Sequence, residues 1–252
     1  MLPAPPALVE VKGLGLAQRG QWVLHDLNFD IRRGEVLVIV GPSGCGKSTL
    51  LRHLVGLQAP AAGNIFYGPH NLNGCSEETL ADVRRQFGVM FQSGALWSAM
   101  TVGDNLMLPM RFFTTLNRRA REEQARFKLA LVGLDGTFDL EPAALSGGMK
   151  KRAAIARALA LDPTLLYLDE PGSGLDPVNS ARLDTLVLKL REQLGTTVVM
   201  VTHDIDSVFA VADRTLYLDE QEQTMTALDA PQQLLDNGPP AVREFLHRGR
   251  GG

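Results

Sequence analysis

The stretch EVLVIVGPSGCGKST, residues 35–49, decides the fold. Behind Glu35 comes VLVIV, an unbroken and largely β-branched run that reads as a strand buried on both faces of a parallel sheet. A helix is expected from about Lys47 to Leu57. Between them Gly41, Pro42, Ser43, Gly44, Cys45, Gly46, Lys47 and Ser48 match GxxxxGK[ST], followed by Thr49, in the strand–loop–helix context this motif needs. Glycines let backbone N–H groups turn inward on a phosphate, and the helix N-terminus adds partial positive charge. Lys47 is placed to reach β- and γ-phosphates, and Ser48 to put a hydroxyl on Mg²⁺. At background residue usage the bare pattern arises by accident in about one chain per hundred, and the flanking strand and helix lower that further. Cys45 reads as a small residue filling space rather than as a nucleophile.

Outward from the loop, short apolar runs alternate with helical patterns, which predicts an α/β domain. Residues 7–31 hold two alternating stretches and suggest an antiparallel β-region. FGVMF (87–91), LLYLD (165–169), TVVMVT (197–202) and finally RTLYLD (214–219) read as strands. Residues 92–160 are mainly helical, with breaks at Gly133, Gly136 and Pro142. The expectation is one domain over residues 7–246. Its catalytic α/β core with β-subdomain takes 7–91 and 161–246, a helical subdomain takes about 92–160, and 1–6 and 247–252 are disordered tails.

Composition bounds the function class. The chain has 252 residues, 45% hydrophobic and 21% charged, as an ordinary globular protein does. A formal charge of −3 gives no electrostatic case for nucleic acid. Two cysteines, Cys45 and Cys75, are too few for a disulfide framework and suit a reducing cytoplasm. No apolar run approaches the roughly 18 residues of a membrane span, and the N-terminus lacks the positive region of a secretory signal. A membrane role is therefore expected to come through a partner.

The strand LLYLD ends in Asp169 and Glu170. Ligands of open parallel sheets bind at such carboxyl ends. Asp169 is a candidate for holding Mg²⁺, and Glu170 for polarising the water that attacks a γ-phosphate. His203 stands in the equivalent place after TVVMVT, within reach of a γ-phosphate. The other histidines lack such a setting and read as surface or structural residues.

LSGGM at residues 145–149, followed by a helix and LLYLDEP, makes the chain resemble the ABC ATPases over essentially its whole length. The resemblance implies a RecA-like P-loop core with an antiparallel β-subdomain and an inserted helical subdomain. It identifies Gly41 to Thr49 with the Walker A loop and Gln92 with the Q-loop glutamine that senses Mg²⁺ and the attacking water. Ser146, Gly147 and Gly148 correspond to the signature loop, Asp169 to the Walker B aspartate and Glu170 to the catalytic glutamate. Gly174, Leu175 and Asp176 correspond to the D-loop, and His203 to the switch histidine. The cofactors implied are ATP and Mg²⁺. One departure stands out: Leu16 occupies the position where the family commonly stacks adenine on an aromatic ring, with Trp22 nearby. Nucleotide affinity is then expected to rest mostly on phosphate and metal contacts. Ser146–Gly148 open a helix, an anion-binding feature. In ABC proteins that loop meets the γ-phosphate held by the opposite subunit, so a head-to-tail dimer is implied.

FQSGALWSAMTVGDNLMLPM (91–110), LSGGMKKRAAIARALALDP (145–163) and AVREFL (241–246) further resemble the ATPases of MCE-associated lipid transporters. These move phospholipids between the inner and outer membranes of Gram-negative bacteria. That resemblance implies a peripheral protein at the cytoplasmic face of the inner membrane. Its partners would be a permease, an MCE-domain substrate-binding protein and a small STAS-type subunit. ATPases of small-solute importers share every catalytic motif, as does a compact cofactor-assembly ATPase. Leu96, Trp97, Met100, Leu106, Met107, Leu108 and Met110 are candidates for an apolar docking surface or for the insertion's own core. Arg111, Arg118, Arg119 and Arg121 read as a solvated helix face.

Overall fold

The computed structural model describes residues 6–248. Strand β3, Val36–Val40, lies inside a sheet of six, in the order β10-β9-β3-β8-β7-β6. Its companions are β6 (Phe87–Met90), β7 (Leu165–Asp169), β8 (Thr197–Val201), β9 (Arg214–Asp219) and β10 (Thr224–Asp229). The strands from β9 to β6 run parallel, and β10 closes one edge antiparallel to β9. Every residue of β3, β7 and β8 is buried.

Period-two alternation sends the side chains of these strands into two separate cores. Val36, Val38, Val40, Leu166, Leu168, Val198 and Met200 face one of them, with most of the helices. Leu37, Ile39, Leu165, Tyr167, Val199 and Val201 face the other. The second core is closed by helix α1 (Lys47–Leu54) and by a four-stranded antiparallel sheet. In that sheet β1 (Ala7–Gln18) pairs with β2 (Gln21–Arg32) and with β4 (Ala62–Tyr67), and β5 (His70–Asn71) pairs with β4. Across this core the hydroxyls of Tyr67 and Tyr167 meet at 2.6 Å. The Tyr67 hydroxyl donates to the Leu54 carbonyl at the end of α1.

Between β6 and β7 the chain builds α3 (Val102–Phe113), α4 (Arg118–Leu131), a 3-10 turn at Pro142–Ala144 and α5 (Gly147–Ala158). Each α-helix is capped by a side-chain oxygen that accepts a backbone N–H: Thr101, Asn117 and Ser146. The long helix α6 (Pro177–Leu194) begins on Asp176 in the same way and ends at Gly195 with φ 65°. The remaining helices are α2 (Glu77–Arg84), α7 (Ile205–Val211), α8 (Pro231–Asn237) and α9 (Pro240–Arg248).

Several expectations need adjusting. Helix α1 stops at Leu54, where the chain turns through Gly56. RTLYLD is not the last strand, because β10 returns beside it after a turn at residues 220–223. The antiparallel region extends past residue 31 to β4 and β5. Leu106 and Met110 are fully buried inside the helical insertion and belong to its core, not to a docking surface. His247 and Arg248 lie in the last turn of α9, while residues 1–5 and 249–252 of the expected tails lie outside the described residues.

Candidate functional site

Because β3, β6, β7 and β8 run parallel, their carboxyl ends share one edge of the sheet, and the predicted site residues follow those ends directly. Residues 41–49 follow β3, Gln92 follows β6, Asp169 ends β7 with Glu170 beside it, and His203 follows β8. This is the crevice where an open parallel sheet binds its ligand.

The loop after β3 needs glycine for a steric reason. A side chain at Gly41 would lie 2.3 Å from the Leu218 carbonyl oxygen and 2.8 Å from Cys45 Sγ, on a backbone with φ 150°. Gly46 caps α1 with φ 99°, and a Cβ there would lie 3.0 Å from the side chains of Val23 and Leu24. Cys45 is buried, and burial pushes its thiol pKa up, so it fills space as the sequence suggested. The Lys47 ammonium donates to the carbonyls of Gly41 (2.7 Å) and Pro42 (2.8 Å), folded against its own loop.

Ser48 Oγ donates to Asp169 Oδ1 at 2.9 Å, joining the start of α1 to the end of β7. A hydroxyl and one buried carboxylate are hard oxygen donors of the kind Mg²⁺ takes, and Mg²⁺ fills its other positions with phosphate and water oxygens. Among the described residues no cluster of three His, Cys, Asp or Glu side chains could cage a metal alone. That donor set therefore fits an ion held jointly with a nucleotide.

Glu170 occupies the left-handed region at φ 50°, a conformation that costs a non-glycine residue of order 1 kcal/mol and concentrates at functional sites. Its N–H is tied to the Val201 carbonyl at 2.9 Å. His203 Nδ1 lies 2.8 Å from Glu170 Oε2. That approach lacks hydrogen-bond alignment, so Oε2 is a buried acceptor without a partner among the described residues. A buried, unsatisfied carboxylate oxygen is the atom required to accept a proton from water. Gln92 is exposed just beyond β6, at the same edge.

The remaining predicted residues form a second locus. Ser146 accepts the Met149 N–H as the N-cap of α5, and the loop around it is exposed. Gly147 and Gly148 pack near Leu175 and Asn179, so the signature segment touches the start of α6. There Asp176 accepts from both the Asn179 N–H and its side-chain amide, and the amide bond leads the causes that lower its pKa. No hydrogen bond among the described residues joins this locus to the loop 41–49. Leu16 is fully buried in the second core and unavailable for stacking, whereas Trp22, half exposed, covers Gly15.

Lys151 escaped the sequence reading. From α5 its Nζ donates to the Gln92 carbonyl (2.5 Å) and the Glu170 carbonyl (3.3 Å). Its lysine five residues after Ser146, in a run of three bases, gave no sign of which base turns inward.

A phosphate loop, a strand-ending Asp-Glu pair and a histidine on one sheet edge define a P-loop nucleotide hydrolase. Comparison with known proteins narrows the class. The family model described as ABC transporter matches residues 24–173. The probable ribonucleotide transport ATP-binding protein mkl of Mycobacterium leprae is 39% identical over 239 residues, covering 95% of this chain and 68% of that protein. The intermembrane phospholipid transport system ATP-binding protein MlaF of Escherichia coli is 38% identical over 239 residues, covering 95% of this chain and 88% of that one. Among solved structures, the cassette MJ0796 in a dimeric post-hydrolysis state with ADP and Pi superposes with a TM-score of 0.80 at 31% identity, covering 88% of this chain and 98% of its own. The chain belongs to the ABC transporter family, as an ATP-binding and ATP-hydrolysing subunit. Among the described residues no helix is long and apolar enough to cross a membrane.

Proposed function

We propose that this chain powers phospholipid movement between membranes as the ATPase of an MCE-associated transporter, acting as one cassette domain over residues 7–246. The observation that carries the ATPase part is the joined pair Ser48–Asp169 beside the unsatisfied carboxylate of Glu170. Backbone N–H groups of residues 41–49 cradle the phosphates, and Lys47 exchanges its loop carbonyls for β- and γ-oxygens. Ser48, Asp169 and Gln92 would hold Mg²⁺, which would supply charge neutralisation at the phosphates. Glu170 draws the proton from the attacking water, and His203, beside that carboxylate, bonds the γ-phosphate. Ser146, Gly147, Gly148 and Asp176 serve the nucleotide of a second copy in a head-to-tail dimer. The dimeric MJ0796 cassette supports a dimer of such chains.

The permease would dock on a groove of about 340 Å³ between β6, α3 and the end of α5. Phe112 and Phe113 stand at its lip, 71% and 52% exposed. A neighbouring pocket lined by Met100, Met107, Arg111, Arg118 and Arg121 shares Leu108 with it. The groove is apolar beside a rim of arginines, and the MlaF likeness supports a peripheral position on the cytoplasmic side of an inner membrane. The same resemblance points to an MCE-domain protein and a STAS-type subunit as further members of the assembly.

Lipid cargo rests on the MlaF likeness and the FQSGAL segment. A second reading, transport of a small solute, has its support in the mkl relatives, whose identity is almost equal. The chain accounts for a smaller share of those proteins, 66–68% against 88–90% for the MlaF proteins. Co-expression with the neighbouring genes, purification of the complex and lipid extraction decide between them. A permease carrying stoichiometric phospholipid is the expected result. A complex free of lipid whose ATPase responds to ribonucleotides would favour the second reading, and no permease at all would remove both.

A further inference from the structure

Helix α5 does more than present Ser146–Gly148. Two of its cations hold the loop that follows β6: Lys151 through the Gln92 carbonyl, and Arg157 through the carbonyls of Gly94 and Ala95. Lys151 also reaches the Glu170 carbonyl, on the residue whose left-handed backbone aims the unsatisfied carboxylate. One ammonium thus bonds two loops that lie far apart in sequence, and it does so from the helix whose first turn is the signature segment. An ammonium has three donors and no acceptor, so two carbonyls and, among the described residues, no ion pair mark a structural grip.

We propose that Lys151 is a positioning residue that fixes Gln92 and Glu170 to the signature helix. The loop a chain offers to its partner's nucleotide and the groups it turns on its own nucleotide then move as one body. This rests on the roles given above to Gln92, Glu170 and the signature loop. It goes beyond them, because it makes the two half-sites of one chain mechanically dependent.

The test uses the full chain with Lys151→Met, which keeps the apolar stem and removes the donors, and with Lys151→Arg, whose fork can still donate to two carbonyls. For Lys151→Met the expected result is a kcat about tenfold lower with the KM for ATP changed less than about twofold, the split that marks lost transition-state positioning and not lost binding. Lys151→Arg is expected to recover most of that kcat. In a Glu170→Gln background, Lys151→Met should also raise several-fold the ATP concentration that drives dimerisation in size-exclusion chromatography. A wild-type kcat in Lys151→Met, a folded Lys151→Arg without recovery, or unchanged ATP-driven dimerisation would each overturn the proposal. Glu170→Gln alone is the control: if it hydrolyses ATP normally, the reading of the site fails, and if it is inactive while Lys151→Met is normal, only the present inference fails.

Discussion

The two loops proposed to take phosphate are built differently. Residues 41–49 are locked into the sheet edge, with Gly41 pressed against Leu218, Cys45 buried, and Lys47 and Ser48 bonded to neighbouring groups. Ser146 and Gly147 are exposed and Gly148 partly so, and among the described residues their hydrogen bonds are those that start α5. Both sit at a helix N-terminus and offer backbone N–H groups. The first has its metal-directed partners inside the chain and the second has none there. The contrast fits the proposed function, in which the first loop binds in cis and the second acts when another chain brings a nucleotide to it.

The largest expected effect tests the cis half. Glu170→Gln keeps the shape and removes the proton acceptor, so kcat should fall by at least about a hundredfold, the span of general-base catalysis. ATP binding should survive and the nucleotide-bound dimer should accumulate. Retained turnover would free Glu170 of its role and leave its strained backbone unexplained.

The next effect probes the contrast itself. Gly148→Asp puts an anion into the exposed loop, and Lys47→Ala cripples the buried one, so each variant alone should be inactive as a homodimer. Mixed in equal amounts, they form dimers with one intact composite site. About a quarter of wild-type activity should return, since half the dimers carry one of two sites. No recovery on mixing would mean that both loops serve the same nucleotide, and the comparison would collapse.

How much of this was legible follows from physical range. The loop 41–49, the strand ends and the N-caps Ser146 and Asp176 are local features, where spacing along the chain is spacing in space. Strand β10 was missed because TMTALD follows β9 without a glycine-marked turn, its reversal made instead by Asp219 accepting the Gln221 and Glu222 N–H groups. Strands β4 and β5 depend on pairing with β1, a contact that composition does not announce. Leu106 and Met110 share a helix with exposed Phe112 and Phe113, and only packing against α4 and α5 sorts one group from the other. Lys151 bonds across tens of residues, which no periodicity records.

A smaller effect concerns the docking face, which should be separable from both loops. Phe112→Asp removes an exposed ring at the groove lip and leaves the strand-end chemistry untouched. The isolated chain should keep its ATPase activity within about twofold, because surface substitutions away from buried groups are mild. Co-purification with the permease should be lost. A variant that still holds the permease would move the docking surface elsewhere.

The smallest effect lies behind the two loops, where α6 meets α7. Asp184 on α6 accepts from Ser207 Oγ, which also bonds Asp204, and Asp204 takes a further bond from Ser180. Burial, with the charges of Asp204 and Asp206, pushes the Asp184 carboxyl up to about 6 from 3.8, against the Ser207 bond that lowers it. The folded state therefore binds this proton more tightly than the unfolded chain. Its contribution to stability is complete below 3.8 and is lost as pH rises through about 6. Asp184→Asn keeps the size, supplies a donor to the same network and removes the charge. At pH 7.5 the variant should be more stable by about 1–2 kcal/mol, a shift of two units discounted for partial exposure. For a chain of this length that raises Tm by about 3–6 °C. At pH 5, between the folded and unfolded values, the gap in Tm should shrink to roughly half, and it should close only below about 3.8. A gap of equal size at both values would show that packing, not the buried charge, sets the energy of this junction.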